Sequence, residues 1–307
     1  MPRYRAKARP ARHDGAMESG NVAELTIAVG RHRHTALAAG PEDGELALLL
    51  HGWPEFADSW RAILPALGAA GYRAVAVDQR GYAVEARPPQ VADYAIGHLV
   101  ADALAFADSQ GARRFHLIAH DWGGMAAWAL AAAHPGRLRS LAVLATPHPA
   151  ALQRAAMTDE DQHQRLGYVR YFRRPDGSAE RTLLAEDARR LRSVYGGRVP
   201  EDLVEANLRR LAEPGALTAT LNWYRALDDD DFGMAVGRVA ATPTLFVWGD
   251  QDLALGRGAA QSTADYVDGP YRFVALEGAS HWLPEERPQT VVPLLLDHLR
   301  SAGSAQR

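Results

Sequence analysis

The sequence predicts an α/β protein in which a mostly parallel β-sheet is covered by helices on both faces. Short apolar segments with the length of buried strands alternate with amphipathic segments up to residue 149, and again after residue 243. Such alternation is typical of parallel sheets, because each parallel connection crosses back over the sheet through a helix. Polar motifs follow several predicted strands, at the edge where open α/β sheets bind their ligands.

Composition restricts the function classes. The 307 residues are 47% hydrophobic and 23% charged, with a net charge of −3, as in an ordinary globular protein. We therefore expect no nucleic-acid partner and no membrane partner. The absence of cysteine excludes disulfides, thiolate metal sites and cysteine nucleophiles. No apolar run approaches the roughly 18 residues of a membrane span.

Residues 1–20 predict a disordered basic arm. Unpartnered charges of this kind are more often a solvated tail than a nucleic-acid-binding segment. The arm lacks the apolar centre of a secretory signal, so we expect a cytoplasmic protein. Its basic residues are Arg3, Arg5, Lys7, Arg9 and Arg12.

The alternating elements start with a hairpin around Gly30 and continue to residue 149. Helical periodicity is clearest in Asp93–Gln110, where Ile96, Val100 and Leu104 share one face. The predicted strands are Val22–Val29, His32–Ala38, Glu45–Leu50, Arg73–Val77, a strand from Phe115 and Leu138–Leu144, and the first predicted helix is Asp58–Ala70.

From about residue 150 to 231 the alternation stops, and the sequence is helical without a clear strand. We interpret this segment as a helical cap inserted after the sixth strand. The predicted domains are therefore a core of residues 21–149 and 232–303 and a cap of residues 150–231. After the cap, the predicted elements are strand Thr244–Trp248, helix Gly258–Tyr266, strand Tyr271–Leu276 and helix Glu285–Ser301.

Phe115–Leu130 reads as a strand, a sharp turn and a helix, with Asp121 at the apex. Small residues on both sides, including Gly123 and Gly124, would let the strand and helix approach closely, as around a catalytic nucleophile. An aspartate that opens a helix is also a common N-cap. The remaining motifs favour the nucleophile.

Asp121, Asp252 and His281 occur in the order nucleophile, acid, base that is known for one class of catalytic triad. No G-x-S-x-G segment is present, which argues against a serine esterase. His281 follows the last predicted strand, as a catalytic base should. Asp250 competes for the acid role, and we favour Asp252 because the loop needs several residues beyond the strand to reach the imidazole.

Motifs across almost the whole chain resemble those of the epoxide hydrolase branch of the α/β-hydrolase superfamily. The pairing of HGWPE with NWYR is more specific than HDWGG, which haloalkane dehalogenases share. The chain departs from the family pattern at Ala119, where glycine is usual, and at Ala83, where serine is usual. The motifs are HGWPE (51–55), DQRGY (78–82), HDWGG (120–124), TPHP (146–149), NWYR (222–225), WGDQD (248–252) and SHW (280–282).

This resemblance implies an α/β-hydrolase fold and the conversion of a small-molecule epoxide and water to a vicinal diol, with no metal or organic cofactor. It supports Asp252 as the acid. It also implies two cap tyrosines that hydrogen-bond the epoxide oxygen, for which we predict Tyr224 and Tyr168. Tyr171 is the main alternative to Tyr168 and Tyr195 a more distant one, and cap tyrosines can also serve packing alone.

The residue types suit this chemistry. A carboxylate at position 121 can attack an epoxide carbon and leave an ester that water can cleave. Tyrosine, with a free pKa of about 10, is a neutral proton donor for the developing alkoxide. His281, oriented by Asp252, would activate water. The backbone N–H groups of Trp53 and Trp122 are candidates for the oxyanion hole, and the predicted substrate-binding residues are Phe56, Trp122 and Trp282.

Two other functions remain open. A haloalkane dehalogenase would share the triad and Trp122, but Trp53 after the HG pair and the tyrosines suit an alkoxide better than a halide. A non-catalytic binding protein of the same fold would be expected to lose triad members. The sequence does not decide which epoxide is used, the selectivity, or the oligomeric state, for which a homodimer is one alternative.

Overall fold

The computed structural model describes residues 21–227 and 236–304. The predicted basic arm, residues 1–20, lies outside the described residues. So does the predicted boundary between cap and core at residues 231 and 232. In the part of the chain that is described, no helix is both long and apolar enough to cross a membrane.

The described strands form one sheet in the order β1-β2-β4-β3-β5-β6-β7-β8. β1 pairs antiparallel with β2, and β2 pairs antiparallel with β4, whereas every other neighbouring pair is parallel. The predicted hairpin and mostly parallel sheet are therefore confirmed. The strands are β1 (Ala23–Val29), β2 (His32–Ala39), β3 (Glu45–Leu50), β4 (Tyr72–Val77), β5 (Phe115–His120), β6 (Leu138–Leu144), β7 (Thr244–Gly249) and β8 (Tyr271–Leu276).

The helices follow the predicted pattern, but 3-10 turns occur in the predicted helices Asp58–Ala70, Asp93–Gln110 and Gly258–Tyr266, and the closing helix is divided. Residues Asp58–Ala70 contain a 3-10 turn, Ala57–Trp60, before α1 begins at Leu64. The closing helix is divided at Arg287, because a residue before proline is disfavoured in the helical conformation. The helices are α1 (Leu64–Ala69), α2 (Ile96–Ser109), α3 (Trp122–Ala133), α4 (Pro149–Thr158), α5 (Glu160–Arg165), α6 (Gly167–Phe172), α7 (Ser178–Val194), α8 (Glu201–Leu211), α9 (Ala216–Arg225), α10 (Arg257–Ser262), α11 (Leu283–Glu286) and α12 (Pro288–Ser304).

Both faces of the sheet are covered, which explains the unbroken apolar character of β3. One face packs against α2 and α3 through side chains that include Phe106 and Trp128. The opposite face packs against α1 and α12 through side chains that include Leu64 and Leu295. A strand buried on both faces has no polar alternation, so Leu46–Leu50 is apolar throughout.

Helices α4 to α9 lie between β6 and β7, and this part of the chain contains no strand within the described residues. Apolar side chains of the cap, such as Leu191 and Leu211, share a buried cluster with Trp53 and Trp282 of the core. Helix α7 is interrupted at residues 186–188, which all have positive φ. The cap therefore packs directly over the sheet edge that carries the motifs.

Polar contacts attach the cap to the core. The Trp223 indole donates to the carbonyl of Arg80 at 2.9 Å, and the Tyr195 hydroxyl donates to the carbonyl of Pro54 at 2.8 Å. Arg210 of α8 contacts the carboxylate of Asp78, and its guanidinium lies 3.6 Å from the ring centre of Phe56. These contacts connect the cap to the loops after β3 and β4.

Candidate active site

Asp121 occupies a tight turn between β5 and α3. Its backbone has φ 48° and ψ −121°, a sparsely populated conformation that costs about 1–3 kcal/mol and is found most often at functional sites. A Cβ atom added to Gly123 would lie 2.4 Å from the carbonyl oxygen of Leu50, so only glycine allows this approach of helix to strand. The Asp121 side chain makes no capping hydrogen bond to α3, so the N-cap alternative receives no support.

Asp121, His281 and Asp252 lie together at the carboxyl edge of the sheet. His281 Nδ1 donates to Asp252 Oδ2 at 2.8 Å, and its Nε2 lies 3.4 Å from Asp121 Oδ2. The other carboxylate oxygen of Asp252 accepts the N–H groups of Ala254 and Leu255 at 2.8 and 2.9 Å, which fixes its orientation. The His281 side chain is therefore held between Asp121, the candidate nucleophile, and Asp252, the candidate acid.

Asp250, the alternative acid, is not in contact with the imidazole. Its carboxylate accepts the backbone N–H of Gly278 at 2.8 Å and thereby joins the turns after β7 and β8. The structure thus brings Asp252, and not Asp250, to His281.

The electrostatics of the pair follow from burial and mutual attraction. Burial alone would raise the pKa of Asp121, but the hydrogen bond and charge of His281, with the Trp53 N–H, hold it below its usual value. For His281, burial lowers the pKa, and the carboxylates of Asp252 and Asp121 outweigh that effect and raise it well above its usual value. The unreacted site therefore favours an ionised Asp121 beside a protonated His281.

The two predicted oxyanion donors differ in their contacts. The backbone N–H of Trp53 donates to Asp121 Oδ1 at 2.7 Å. Trp122 is the first residue of α3, where backbone N–H groups have no acceptor within the helix. Both amides therefore lie beside Asp121, and that of Trp53 already contacts its carboxylate.

A cavity of about 470 Å³ lies between this edge of the sheet and the cap. Asp121 and His281 form part of its wall, opposite the cap tyrosines Tyr168 and Tyr224. Aromatic and aliphatic side chains make most of the remaining surface, and two arginines border it. These further lining residues include Trp53, Phe172, Val194, Tyr195, Leu253, Trp282, Arg165 and Arg198.

The structure distinguishes the predicted cap tyrosines. Tyr168 and Tyr224 both line the cavity, their ring centres lie 6.1 Å apart, and burial raises the pKa of both. Tyr171 is turned away, because its hydroxyl donates to the carbonyl of Ser178 at 2.9 Å. Tyr195 lines the cavity, but its hydroxyl is engaged with Pro54. Tyr168 is therefore the one that accompanies Tyr224.

Two predicted substrate contacts need correction. Phe56 is completely buried, and its ring lies under Arg210 and against Tyr82, so it does not line the cavity. Trp122 lies behind Tyr224, with ring centres 5.0 Å apart, and also stays outside the lining. Trp282 does line the cavity. The positions of Phe56 and Trp122 in or beside the motifs correctly indicated that they lie near the site, but not the direction in which their side chains point.

A buried polar pair behind His281 was missed from the sequence. His120 Nδ1 lies 2.9 Å from Glu55 Oε2, and His120 Nε2 donates to the carbonyl oxygen of His281 at 2.9 Å. Both side chains are fully buried. The sequence did contain an indication of this pair. Glu55 ends HGWPE and His120 begins HDWGG, and a polar residue at either position is either exposed or in a specific polar contact.

Comparisons with known proteins agree with this geometry. A family model described as the alpha/beta hydrolase fold matches residues 47–288. Epoxide hydrolase A of Mycobacterium tuberculosis is 34% identical, with 91% of this chain and 98% of that protein covered. The AB hydrolase superfamily protein YfhM of Bacillus subtilis is also 34% identical, over 86% of this chain and 93% of its own length.

Solved structures give the same result. The crystal structure of epoxide hydrolase A from Mycobacterium thermoresistibile is similar, with a TM-score of 0.79 and 31% identity over 91% of this chain and 98% of that one. The epoxide hydrolase of Bacillus megaterium in complex with an inhibitor has a TM-score of 0.80 and 25% identity, over 90% of this chain and 100% of its own. The chain therefore belongs to the epoxide hydrolase family of the α/β-hydrolase superfamily.

Proposed function

We propose that the enzyme converts an epoxide to a vicinal diol through a covalent alkyl ester on Asp121. The observation that carries this proposal is the placement of a carboxylate, at the turn after β5, in the lining of one cavity together with two tyrosines of the cap. A carboxylate nucleophile suits alkyl transfer, and two neutral hydroxyl donors suit an alkoxide leaving group.

In the first step, Asp121 attacks an epoxide carbon and the carbon–oxygen bond of the ring breaks. The lowered pKa of Asp121 keeps the nucleophile ionised at neutral pH. Tyr168 and Tyr224 donate hydrogen bonds to the ring oxygen, and one of them transfers its proton to the alkoxide. Their raised pKa values keep both tyrosines protonated before the reaction.

Ester formation then changes His281. The charge of Asp121 disappears in the ester, so one of the two carboxylates that raise the pKa of His281 is lost. His281 can then release its proton more readily, which returns the tyrosinate to tyrosine, and, supported by Asp252, His281 accepts another proton from water. The pairing of Asp121 with His281 therefore keeps His281 protonated, and unable to act as a base, until the substrate is attached to Asp121.

In the second step, water attacks the carboxyl carbon of Asp121 as His281 takes its proton. The backbone N–H of Trp53, with that of Trp122, stabilises the negative oxygen of the tetrahedral intermediate. Removal of one such donor typically costs about 10²–10³ in rate. Collapse of the intermediate breaks the ester carbon–oxygen bond, the departing alkoxide takes the proton of the new hydroxyl group, and the diol leaves Asp121 as a carboxylate.

The substrates of this site are apolar epoxides with an aryl or bulky alkyl group, because aromatic and aliphatic side chains make most of the cavity surface. We expect styrene-type epoxides to be converted with a higher kcat/KM than small polar epoxides. Equal turnover of both groups would contradict this substrate preference without affecting the ester mechanism.

The decisive experiment incubates purified enzyme with aryl epoxides, alkyl epoxides and, separately, 1-haloalkanes, and measures diol and free halide. Diol without halide is the expected result. Halide without diol would overturn the proposal and favour a haloalkane dehalogenase. Diol formation in labelled water, with a single turnover, should place one solvent oxygen in Asp121 before it appears in the product, and direct incorporation into the diol would exclude the ester.

A further inference from the structure

Two buried carboxyl groups face each other behind His281. Glu55 follows the turn after β3, and Glu285 lies in α11, four residues after His281. Their carboxyl groups lie close enough for each to perturb the pKa of the other. Glu55 Oε1 and Glu285 Oε2 are both buried, and neither receives a hydrogen bond from an N–H or O–H donor among the described residues. A proton between the two carboxyl groups would satisfy both oxygens.

The hydrogen-bond donors around Glu55 and Glu285 are too few unless one of the two carboxyl groups is protonated. A carbonyl oxygen only accepts, so His120 uses Nε2–H for the carbonyl of His281. The remaining nitrogen of His120 faces Glu55 Oε2, and that contact holds a proton of its own. Two ionised carboxylates offer no donor, so the contact between Glu55 and Glu285 needs one further proton.

The surroundings assign that proton to Glu285. Glu55 has His120 as a second partner at 2.9 Å, whereas Glu285 Oε2 has no donor among the described residues. Tyr195 of the cap is a further titratable group near both carboxyl groups. The arginines nearest to α11 do not compensate Glu285, because Arg198 and Arg287 contact the neighbouring Glu286. Burial, followed by the charge of Glu55, raises the pKa of Glu285 well above its usual value. Further titratable groups around Glu55 are His51, Tyr82 and His281.

We propose that Glu285 is a positioning residue, which stays protonated in the working enzyme and donates to Glu55, so that the Glu55–His120 pair holds the backbone of His281. The proposal rests on the proposed function only for the role of His281 as the base. Loss of the proton at alkaline pH would set two carboxylates against each other in a buried site. His120 would then shift, and His281 with it, so hydrolysis of the ester should slow more than its formation.

The test compares Glu285→Gln and Glu285→Met with the wild type in rapid kinetics that separate ester formation from ester hydrolysis. Measurements run from about pH 6 to about pH 10, between the free pKa values of histidine and tyrosine. The amide in Glu285→Gln donates at every pH, so hydrolysis should stay within about twofold of wild type at neutral pH and lose the alkaline decline. Glu285→Met has no donor and should hydrolyse the ester about 10- to 100-fold more slowly at all pH values, with ester formation changed less than about threefold.

Glu277→Gln is the matched control, because Glu277 is exposed and lies only eight residues earlier in the chain. It makes the same replacement of a carboxyl group by an amide and should leave both steps and their pH profiles as in the wild type. Infrared spectra give a readout that does not depend on turnover. The band of a protonated carboxyl group should be present at neutral pH in the wild type and in Glu277→Gln, and absent in Glu285→Gln.

The proposal is overturned if Glu285→Gln keeps both the wild-type alkaline decline in hydrolysis and the carboxyl band. It is equally overturned if a folded Glu285→Met hydrolyses the ester at the wild-type rate. Should Glu285→Met fail to fold, the pH profile and spectrum of Glu285→Gln still decide. An enzyme that forms no ester with any epoxide would contradict the proposed function, whereas the infrared comparison would still test the proton on Glu285.

Discussion

The sheet edge and the cap supply opposite walls of one cavity, but they hold their residues by different means. Asp121, Asp252 and His281 each follow the end of a strand, and hydrogen bonds from neighbouring loops fix their side chains. Tyr168 and Tyr224 lie on separate helices, α6 and α9, and are held by aromatic packing. The edge therefore contributes fixed charge, and the cap contributes neutral donors on a packed apolar surface.

The largest expected effect is at the edge. Asp121→Ala removes the nucleophile, so diol formation should fall by at least about 10⁴-fold. Steady-state turnover of an aryl epoxide measures this loss. Asp297→Ala serves as the control, because Asp297 is exposed on α12 and forms a surface ion pair with Arg272. Retention of more than a hundredth of the activity in Asp121→Ala would mean that this carboxylate is not the nucleophile.

His281→Gln should separate the two steps of the reaction. Ester formation needs only Asp121 and the tyrosines, so it should persist, whereas hydrolysis should fall by about 10³-fold or more without the base. Mass spectrometry should detect one equivalent of substrate on the peptide that contains Asp121. A variant that is inactive and carries no adduct after prolonged incubation would contradict the ester mechanism.

The cap tyrosines should have an intermediate effect, because each can partly replace the other as a donor. Tyr168→Phe and Tyr224→Phe should each slow ester formation by about 10- to 100-fold, and the double variant by about 10³-fold or more. Tyr171→Phe is the matched control, with its hydroxyl bound to the carbonyl of Ser178 outside the cavity. Single-turnover burst rates measure the step. If Tyr171→Phe were slower than Tyr168→Phe, the assignment of the donor pair would be wrong.

The smallest expected effect on catalysis concerns the attachment between the two regions. Arg210→Met leaves the buried carboxylate of Asp78 without its partner from α8, which should lower the free energy of unfolding by about 2 kcal/mol, since Arg210 is partly exposed. Thermal and denaturant unfolding measure the loss, and kcat/KM should change by less than about threefold. Arg192→Met is the control, because its partners Glu201 and Glu205 are exposed. Equal stability of the two variants would show that Arg210 does not anchor the cap.

The same difference explains which features could be predicted from the sequence. Strand ends were recognisable, so the sheet, the turn at Asp121 and the order of the edge residues could be predicted. Asp252 was separable from Asp250 only through the resemblance and the length of the loop. The cap was harder, because Tyr168 and Tyr171 are three residues apart on a short helix and either could face the cavity.

The directions of side chains and the contacts between residues far apart in the chain could not be predicted from the sequence alone. Phe56 stands one residue after a catalytic motif, but packing under Arg210, more than 150 positions away, turns it from the cavity. Glu55 and Glu285 are separated by 230 positions, and no local pattern joins them. Such features depend on how the finished sheet and cap meet, which neither propensity nor periodicity encodes.

The hydrogen bond from the Tyr195 hydroxyl to the Pro54 carbonyl has a consequence for how this enzyme can diversify. Tyr195 lies at the end of α7 in the cap, and Pro54 directly follows Trp53, whose amide contacts Asp121. A substitution that reshapes α7 to admit a different epoxide would therefore also displace the backbone N–H of Trp53. Engineering of substrate range through this helix should therefore alter the breakdown of the ester.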